Sequence, residues 1–265
     1  MQSTVKILYI GDIFGRPGRR IVKESLPEIA REHAPDLILA NGENAASGFG
    51  ITPPLVDELL DLGISVLTSG NHIWDKKEIV GYMAEREDGR LLRPANYPDP
   101  APGRGLFVGR TRAGLDYAVL NLQGRVFMPA IDCPFRTADR LLASIPDSVK
   151  IRIVDMHAEA TSEKLSMGWY LDGRVTAMVG THTHIPTADE FVMPQGTAYI
   201  TDLGMTGPYE SVIGIDKDTA IRKFLTQIPE RFEVAKNDVR FCAALVEANP
   251  ETGRAVSIER IVRKF

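Results

Sequence analysis

The sequence predicts an α/β fold in which two sheets pack face to face with helices outside. Three observations carry this. The first third of the chain repeats an apolar strand, a turn-rich loop and a helix three times, as a parallel sheet requires. Later segments instead pair strand-like runs around short turns, which read as antiparallel hairpins. Composition is ordinary for a globular protein, 44% apolar and 25% charged, so a sizeable core can form.

The elements justify themselves in order. Val5 to Ile10 is a short apolar run ending in Gly11-Asp12-Ile13-Phe14-Gly15-Arg16-Pro17-Gly18, a buried parallel strand and its loop. Arg19 to His33 has helical apolar spacing, with Pro27 expected to bend or shorten it. His33 falls at its polar end as a surface or capping residue, not a ligand. Leu37 to Ala40 is a second strand, running into Asn41-Gly42-Glu43-Asn44. Thr52-Pro53-Pro54 opens a helix that Gly63 closes. Ile64 to Leu67 is a third strand, ending in Thr68-Ser69-Gly70-Asn71-His72, and Asp75 is placed to cap a helix over Lys76 to Glu87.

Beyond Arg93-Pro94-Ala95-Asn96 the texture changes. Gly105 to Arg110 and Asp116 to Leu122 form a hairpin, and Thr137 to Ser144 a helix. Val149 to Val154 is a buried strand leading to Asp155-Met156-His157-Ala158-Glu159. A helix over Ser162 to Leu171 precedes the apolar run Val175 to Val179 and then Gly180-Thr181-His182-Thr183-His184-Ile185-Pro186. Two imidazoles two residues apart point the same way if strand geometry persists through them. A hairpin (Glu190 to Val192 with Thr197 to Ile200), a helix (Thr219 to Gln227) and a closing hairpin (Arg240 to Ala248 with Ala255 to Val262) complete the chain.

The formal charge of −4 gives no global attraction to nucleic acid or anionic membrane, and no apolar run reaches the length of a membrane span. No basic-aromatic cluster argues for stable DNA binding. Met1-Gln2-Ser3-Thr4 leads straight into a strand without signal-peptide character, and Cys133 and Cys242 match no metal spacing or disulfide framework. A reducing cytoplasm is the expected location. No repeat, low-complexity tract or linker interrupts the chain.

Five apolar strands end in potential metal ligands: Asp12, Glu43 with Asn44, Asn71 with His72, His157, and His182 with His184. Strand C-termini in open α/β sheets converge on one crevice. Each residue alone has a plainer use in turn bonding or solvation, so the argument rests on the set. Carboxylate, amide and imidazole together suit manganese, iron, zinc or cobalt. A carboxylate can bridge two such cations, a pairing that activates water and stabilises in-line phosphoryl displacement. Glycines beside the ligands (Gly11, Gly15, Gly42, Gly70 and Gly180) permit close backbone approach. A histidine left free of metal would serve to protonate the leaving alkoxide.

The order Gly11-Asp12, Gly42-Glu43-Asn44, Gly70-Asn71-His72, His157, Gly180-Thr181-His182-Thr183-His184 resembles the calcineurin-like metallophosphoesterase superfamily. The wording Gly-Asp-Ile-Phe-Gly, Asn-Gly-Glu-Asn, Gly-Asn-His-Ile-Trp-Asp and Gly-Thr-His-Thr-His-Ile-Pro-Thr-Ala-Asp resembles its YmdB-like branch, from Lys6 to about Pro208. The resemblance implies one domain over residues 1–265. Its fold would be a four-layer α/β/β/α sandwich with two mixed sheets packed face to face. It also implies two divalent or mixed-valence metal ions, iron or manganese foremost. The implied activity is hydrolysis of cyclic nucleotides, notably 2′,3′-cyclic and alternatively 3′,5′-cyclic ones. An RNA end is a further phosphodiester candidate, and homo-oligomerisation is left open.

By the same resemblance, Asp12 and His184, with Asn44, hold one ion. Asn71, His157 and His182 hold the other, Glu43 bridges, and His72 is the general acid. Asp75, Thr183 and Asp189 either orient these groups or serve capping and turn bonds. Tyr209, Arg93 and Asn96 either line a substrate pocket or pack loops. The chain departs from the broad superfamily pattern at Phe14, where a histidine ligand is usual, at Glu43, where aspartate is usual, and at Thr181, one extra residue before His182. All three departures fit the YmdB-like branch. Two rivals remain: a regulatory protein that binds metal and a phosphorylated ligand without turnover, and an amidohydrolase-type hydrolase, in which His-x-His lies on the first barrel strand.

Overall fold

A computed structural model describes residues 4–86 and 88–264. Its elements in chain order are β1 (Val5–Ile10), β2 (Asp12–Ile13), α1 (Gly15–His33), β3 (Leu37–Asn41), α2 (Pro53–Asp61), β4 (Val66–Thr68) and α3 (Glu78–Glu85). Then follow β5 (Leu106–Arg110), β6 (Asp116–Gln123), α4 (Pro134–Leu142), β7 (Ile151–His157), α5 (Thr161–Leu171), β8 (Ala177–Thr181), β9 (Phe191–Val192) and β10 (Ala198–Ile200). The last are β11 (Met205–Pro208), α6 (Lys217–Thr226), β12 (Val239–Ala248) and β13 (Ala255–Lys264).

Both sheets are mixed. One runs β2-β11-β12-β1-β3-β4, with β13 also pairing β12; the other runs β5-β6-β7-β8-β10-β9. The strand β1 is parallel to β3 on one side and antiparallel to β12 on the other. In the second sheet β6, β7, β8 and β10 are parallel, flanked by antiparallel β5 and β9.

Side-chain alternation makes the layers. In β1, Leu8 and Ile10 join Val22, Leu26 and Ile29 of α1 in one core cluster. Ile7 and Tyr9, on the opposite face, meet Val119, Ile153 and Val179 of the second sheet. The outer face of that sheet packs Val154 and Met156 against Leu142, Met167 and Leu171 of α4 and α5. The period of two thus sorts each strand between a helix layer and a facing sheet, giving the α/β/β/α order.

Several boundaries depart from the sequence reading. Helix α1 begins at Gly15 and continues past Pro27 to His33, because burial of Ile21, Val22, Leu26 and Ile29 holds it together despite one missing donor. Thr52 sits at the N-cap of α2 without a side-chain cap; its carbonyl instead accepts from Leu55 and Val56. Helix α3 starts at Glu78 with Lys77 as N-cap, so Asp75 does not cap it. The expected end of that helix at Glu87 lies outside the described residues. Strands β2 and β11, paired with each other in parallel, are too short for periodicity to reveal. Both cysteines are free, Cys242 buried and Cys133 half-buried. Among the described residues, no helix is long and apolar enough to cross a membrane.

Candidate metal centre

Strand ends deliver every ligand candidate to one place. Asp12 follows β1, Glu43 and Asn44 follow β3, and Asn71 and His72 follow β4. His157 ends β7, while His182 and His184 follow β8. Asp12, Glu43 and His157 are fully buried, Asn44 nearly so, and His184 is 7% exposed. Two triads form, Glu43-His157-His182 and Asp12-Glu43-His184, each with ligand atoms within 4.8 Å of one another. Glu43 belongs to both.

The histidine loop gets there by an unexpected route. β8 stops at Thr181, and His182 and His184 adopt φ of 101° and 66°, so the strand does not continue through the pair. Left-handed backbone at two non-glycine residues costs energy and needs outside support. Thr183, between them, supplies part of it by donating its N–H (3.1 Å) and Oγ1–H (2.7 Å) to Asp202. Asp202 is clamped in turn by the buried ammonium of Lys164 at 2.6 Å.

Each imidazole is held by its outer nitrogen and turns the other inward. His157 Nδ1 donates to Thr181 Oγ1 (2.9 Å), whose hydroxyl donates to buried Asp155 (2.7 Å). His184 Nδ1 donates to the Ile213 carbonyl (2.8 Å), and His182 Nε2 meets Glu159 (3.1 Å). The inward atoms crowd together. His157 Nε2 lies 3.0 Å from Asn71 Oδ1, 3.0 Å from His182 Nδ1 and 3.2 Å from Glu43 Oε1. Asn44 Nδ2 lies 3.1 Å from His184 Nε2 and 3.0 Å from Glu43 Oε1. Such anchoring of the far nitrogen is how metal-binding imidazoles are oriented.

Within the ligand set, two buried oxygens have no hydrogen-bond partner among the described residues, Asp12 Oδ1 and Asn44 Oδ1. Buried polar atoms are ordinarily satisfied, so a cation fits the gap. Electrostatics agree. Burial raises the Asp12 carboxyl well above its usual range, with His157 opposing and Glu43 adding to the rise. Burial would also raise Glu43, but the charged His157 beside it outweighs that and holds it at about 2. Burial disfavours a charged His157, yet Glu43 and then Asp12 and Asp155 lift it to about 9. Burial and the neighbouring His157 push His182 down to about 3, and burial lowers His184. One proton on His157 is thus the stand-in for positive charge among acidic and imidazole groups shaped to take ions.

His72 stands apart from the triads. Its Nδ1 donates to Asp75 Oδ2 at 2.8 Å, and its ring lies edge-on to Phe49 with centroids 5.1 Å apart. It lines a cleft of about 640 Å³ together with Glu43, Asn44, His182 and His184. Gly70 is the glycine that this packing demands, since a Cβ there would sit 2.1 Å from His157 Nε2 and 2.3 Å from Glu43 Oε2. Gly11, Gly42 and Gly180 face other chain segments, not the ligands.

The remaining candidates fall outside the cleft. Arg93 is buried, donating to the carbonyls of Pro94, Ala101 and Pro102, and Asn96 donates to those of Gln123 and Asp132. Tyr209 donates to the Met205 carbonyl. All three tie loops to one another or to strands. Asp189 bonds Thr201 and does not reach the histidine loop. Phe14, in the place of the usual histidine, packs edge-on to His184 at 5.3 Å.

A family model described as YmdB-like protein matches residues 8–261. The chain belongs to the YmdB-like family. The match extends past Pro208, so the closing β12–β13 hairpin is part of the shared fold. This YmdB-like chain is 46% identical over 258 residues to a 2′,3′-cyclic-nucleotide 2′-phosphodiesterase from Bacillus subtilis, spanning 97% of each. A hypothetical protein from Thermus thermophilus superposes with a TM-score of 0.91 at 40% identity, covering 98% of this chain and 99% of that one. A structure described as a novel phosphatase from Mycoplasma pneumoniae superposes with a TM-score of 0.92 at 32% identity, covering 100% and 95%. YmdB-like membership implies divalent metal ions, and the ligand groups for them are present.

Sequence reading missed the supports. Asp155 had a legible signal, an acid two residues before His157 in a strand where alternate side chains share a face. Lys164 had none, because a lysine on a helix ordinarily reads as solvated.

Proposed function

We propose that this chain is a metal-dependent phosphodiesterase of 2′,3′-cyclic nucleotides, with two cations sharing Glu43. The overlapping triads carry the reading: one buried carboxylate common to two ligand sets, at the wall of a cleft large enough for a nucleotide. Homology at 46% identity to a 2′,3′-cyclic-nucleotide 2′-phosphodiesterase supports the substrate class. Asp12, Asn44 and His184 would hold one ion, and Asn71, His157 and His182 the other. When bound, such a pair lowers the pKa of water and neutralises charge on the phosphoryl oxygens. The mixed oxygen and nitrogen donors suit manganese, iron, zinc or cobalt, and the family resemblance puts iron or manganese foremost.

His72 supplies the proton for the leaving ribose oxygen. Asp75 holds its Nδ1, so the proton delivered would be the one that Nε2 carries in the doubly protonated ring. An RNA end carrying a 2′,3′-cyclic phosphate presents the same diester. We also read residues 1–265 as one domain, because the ligands come from both sheets, and as a cytoplasmic one, given two free thiols. An amidohydrolase-type site does not fit: the histidine pair follows β8 in an open sheet, with no barrel among the described residues.

The deciding experiment is a substrate panel run on protein of known metal content, with 2′,3′-cyclic, 3′,5′-cyclic and linear diesters and a short RNA ending in a cyclic phosphate. Chelator-sensitive turnover greatest on the 2′,3′-cyclic diesters is expected. Metal-loaded protein that binds these ligands without hydrolysing any would favour the regulatory rival.

A further inference from the structure

The cleft is larger and more apolar than a phosphate and two ions require. Beyond the ligand wall it is closed by the loop around Ile213, by the segment bearing Phe232, and by α6, which contributes Lys223, Phe224 and Gln227 near its C-terminal end. Phe49 bridges the two regions. Its ring meets His72 at 5.1 Å and stacks on Phe232 at 6.4 Å with an interplanar angle of 23°. The Lys223 ammonium lies 4.3 Å from the centroid of Phe232 and has no carboxylate partner among the described residues. Phe224 is 75% exposed although it lines the cleft, so its apolar face is left in water.

Resting on the phosphodiesterase reading, we propose that this aromatic end of the cleft is the subsite for the nucleobase of the substrate, stacked on the exposed Phe224 ring beside the Phe49–Phe232 pair and edge-bonded by Lys223 and Gln227. A planar heteroaromatic ring suits it on two counts. Flat aromatic side chains bind bases through their π-faces with little regard to which base is present. Lys223 places an ammonium beside those rings, and Gln227 the second hydrogen of an amide that already donates to the Phe224 carbonyl at 3.0 Å, where a base offers carbonyl and ring-nitrogen acceptors. The subsite adjoins His72, so a base seated there leaves its ribose and cyclic phosphate facing the ligand wall. Binding energy from the remote base then positions the diester for the chemistry.

The test compares a substrate with a base to one without: 2′,3′-cyclic AMP against methyl riboside 2,3-cyclic phosphate, in the metal-loaded full chain. Wild type should prefer the nucleotide in kcat/KM. Phe224→Ala should lower that preference on the order of tenfold, the usual worth of one base–aromatic stack, and Phe224→Tyr should restore it. An unchanged preference in Phe224→Ala, or an equal fall on both substrates, overturns the subsite. So does a Phe224→Ala protein whose preference is unchanged while its apparent mass on gel filtration falls, which would assign the exposed face to a second copy. Calorimetry with adenosine 3′-monophosphate and ribose 3-phosphate reads the same preference without turnover. Base-dependent binding with no hydrolysis would contradict the phosphodiesterase reading alone, and hydrolysis with no base preference would contradict the subsite alone.

Discussion

Glu43 is the side chain on which both candidate ion sites turn, so its loss should be the most damaging to metal content. Glu43→Gln keeps the shape and removes the charge, and elemental analysis should find both ions depleted. Asp12→Ala should deplete one preferentially, and His33→Ala, at the far end of α1, should deplete neither. His72→Ala is expected to retain metal yet lose turnover far more on substrates with poor leaving groups than on activated ones. Equal losses on both would remove His72 as the proton donor. The proton on His157 makes a further, signed prediction. With a pKa near 9 it is protonated at neutral pH in the ion-free chain, so an arriving cation displaces that proton. Below pH 9, apparent affinity should therefore rise with pH by about tenfold per unit for the His157 proton released. Calorimetry in buffers of differing ionisation enthalpy measures this release, and its absence would contradict the assignment of His157 as a ligand.

At the scale of elements, the site depends on segments that rigid neighbours hold in costly shapes. The loop after β8 has two left-handed histidines fixed through Thr183, Asp202 and Lys164. Lys164→Met leaves the Asp202 carboxylate buried and unpaired, a change expected to cost about 3–5 kcal/mol of stability by denaturant titration. Gly70→Ala should unseat metal for a steric reason, since the new methyl would occupy the space between His157 and Glu43. Elemental analysis of folded Gly70→Ala checks it. The sequence made the strands and their terminal ligands legible because apolar runs punctuated by Gly, Asn and His are a local pattern. It could not reveal that the His-x-His segment leaves β geometry at Thr181, because that turn is imposed by contacts from α5 and from the Asp202 segment. Nor could it exclude Arg93, Asn96 and Tyr209 from the pocket, since their partners are backbone carbonyls, some in loops and some at strand ends.

For the molecule as a whole, two mixed sheets meet through one core, and their strand ends share one rim. Tyr9 and Thr68 from the first sheet both bond Asp155 of the second (3.1 and 2.5 Å), directly beneath the Thr181–His157 link. The face-to-face packing and the centre are therefore one structure: sliding one sheet over the other would separate Asp12 and Glu43 from the histidines. The change from parallel to antiparallel texture was enough to predict two layers of strands. Strand order was not legible, because β12 enters between β1 and β11 from far along the chain, and β2 and β11 have too few residues to declare themselves. Anomalous diffraction from crystals of the manganese-loaded protein tests the shared-carboxylate centre most directly. Two peaks about 3.5–4 Å apart, both within bonding distance of Glu43, are predicted. One peak only, or peaks away from Glu43, would contradict it.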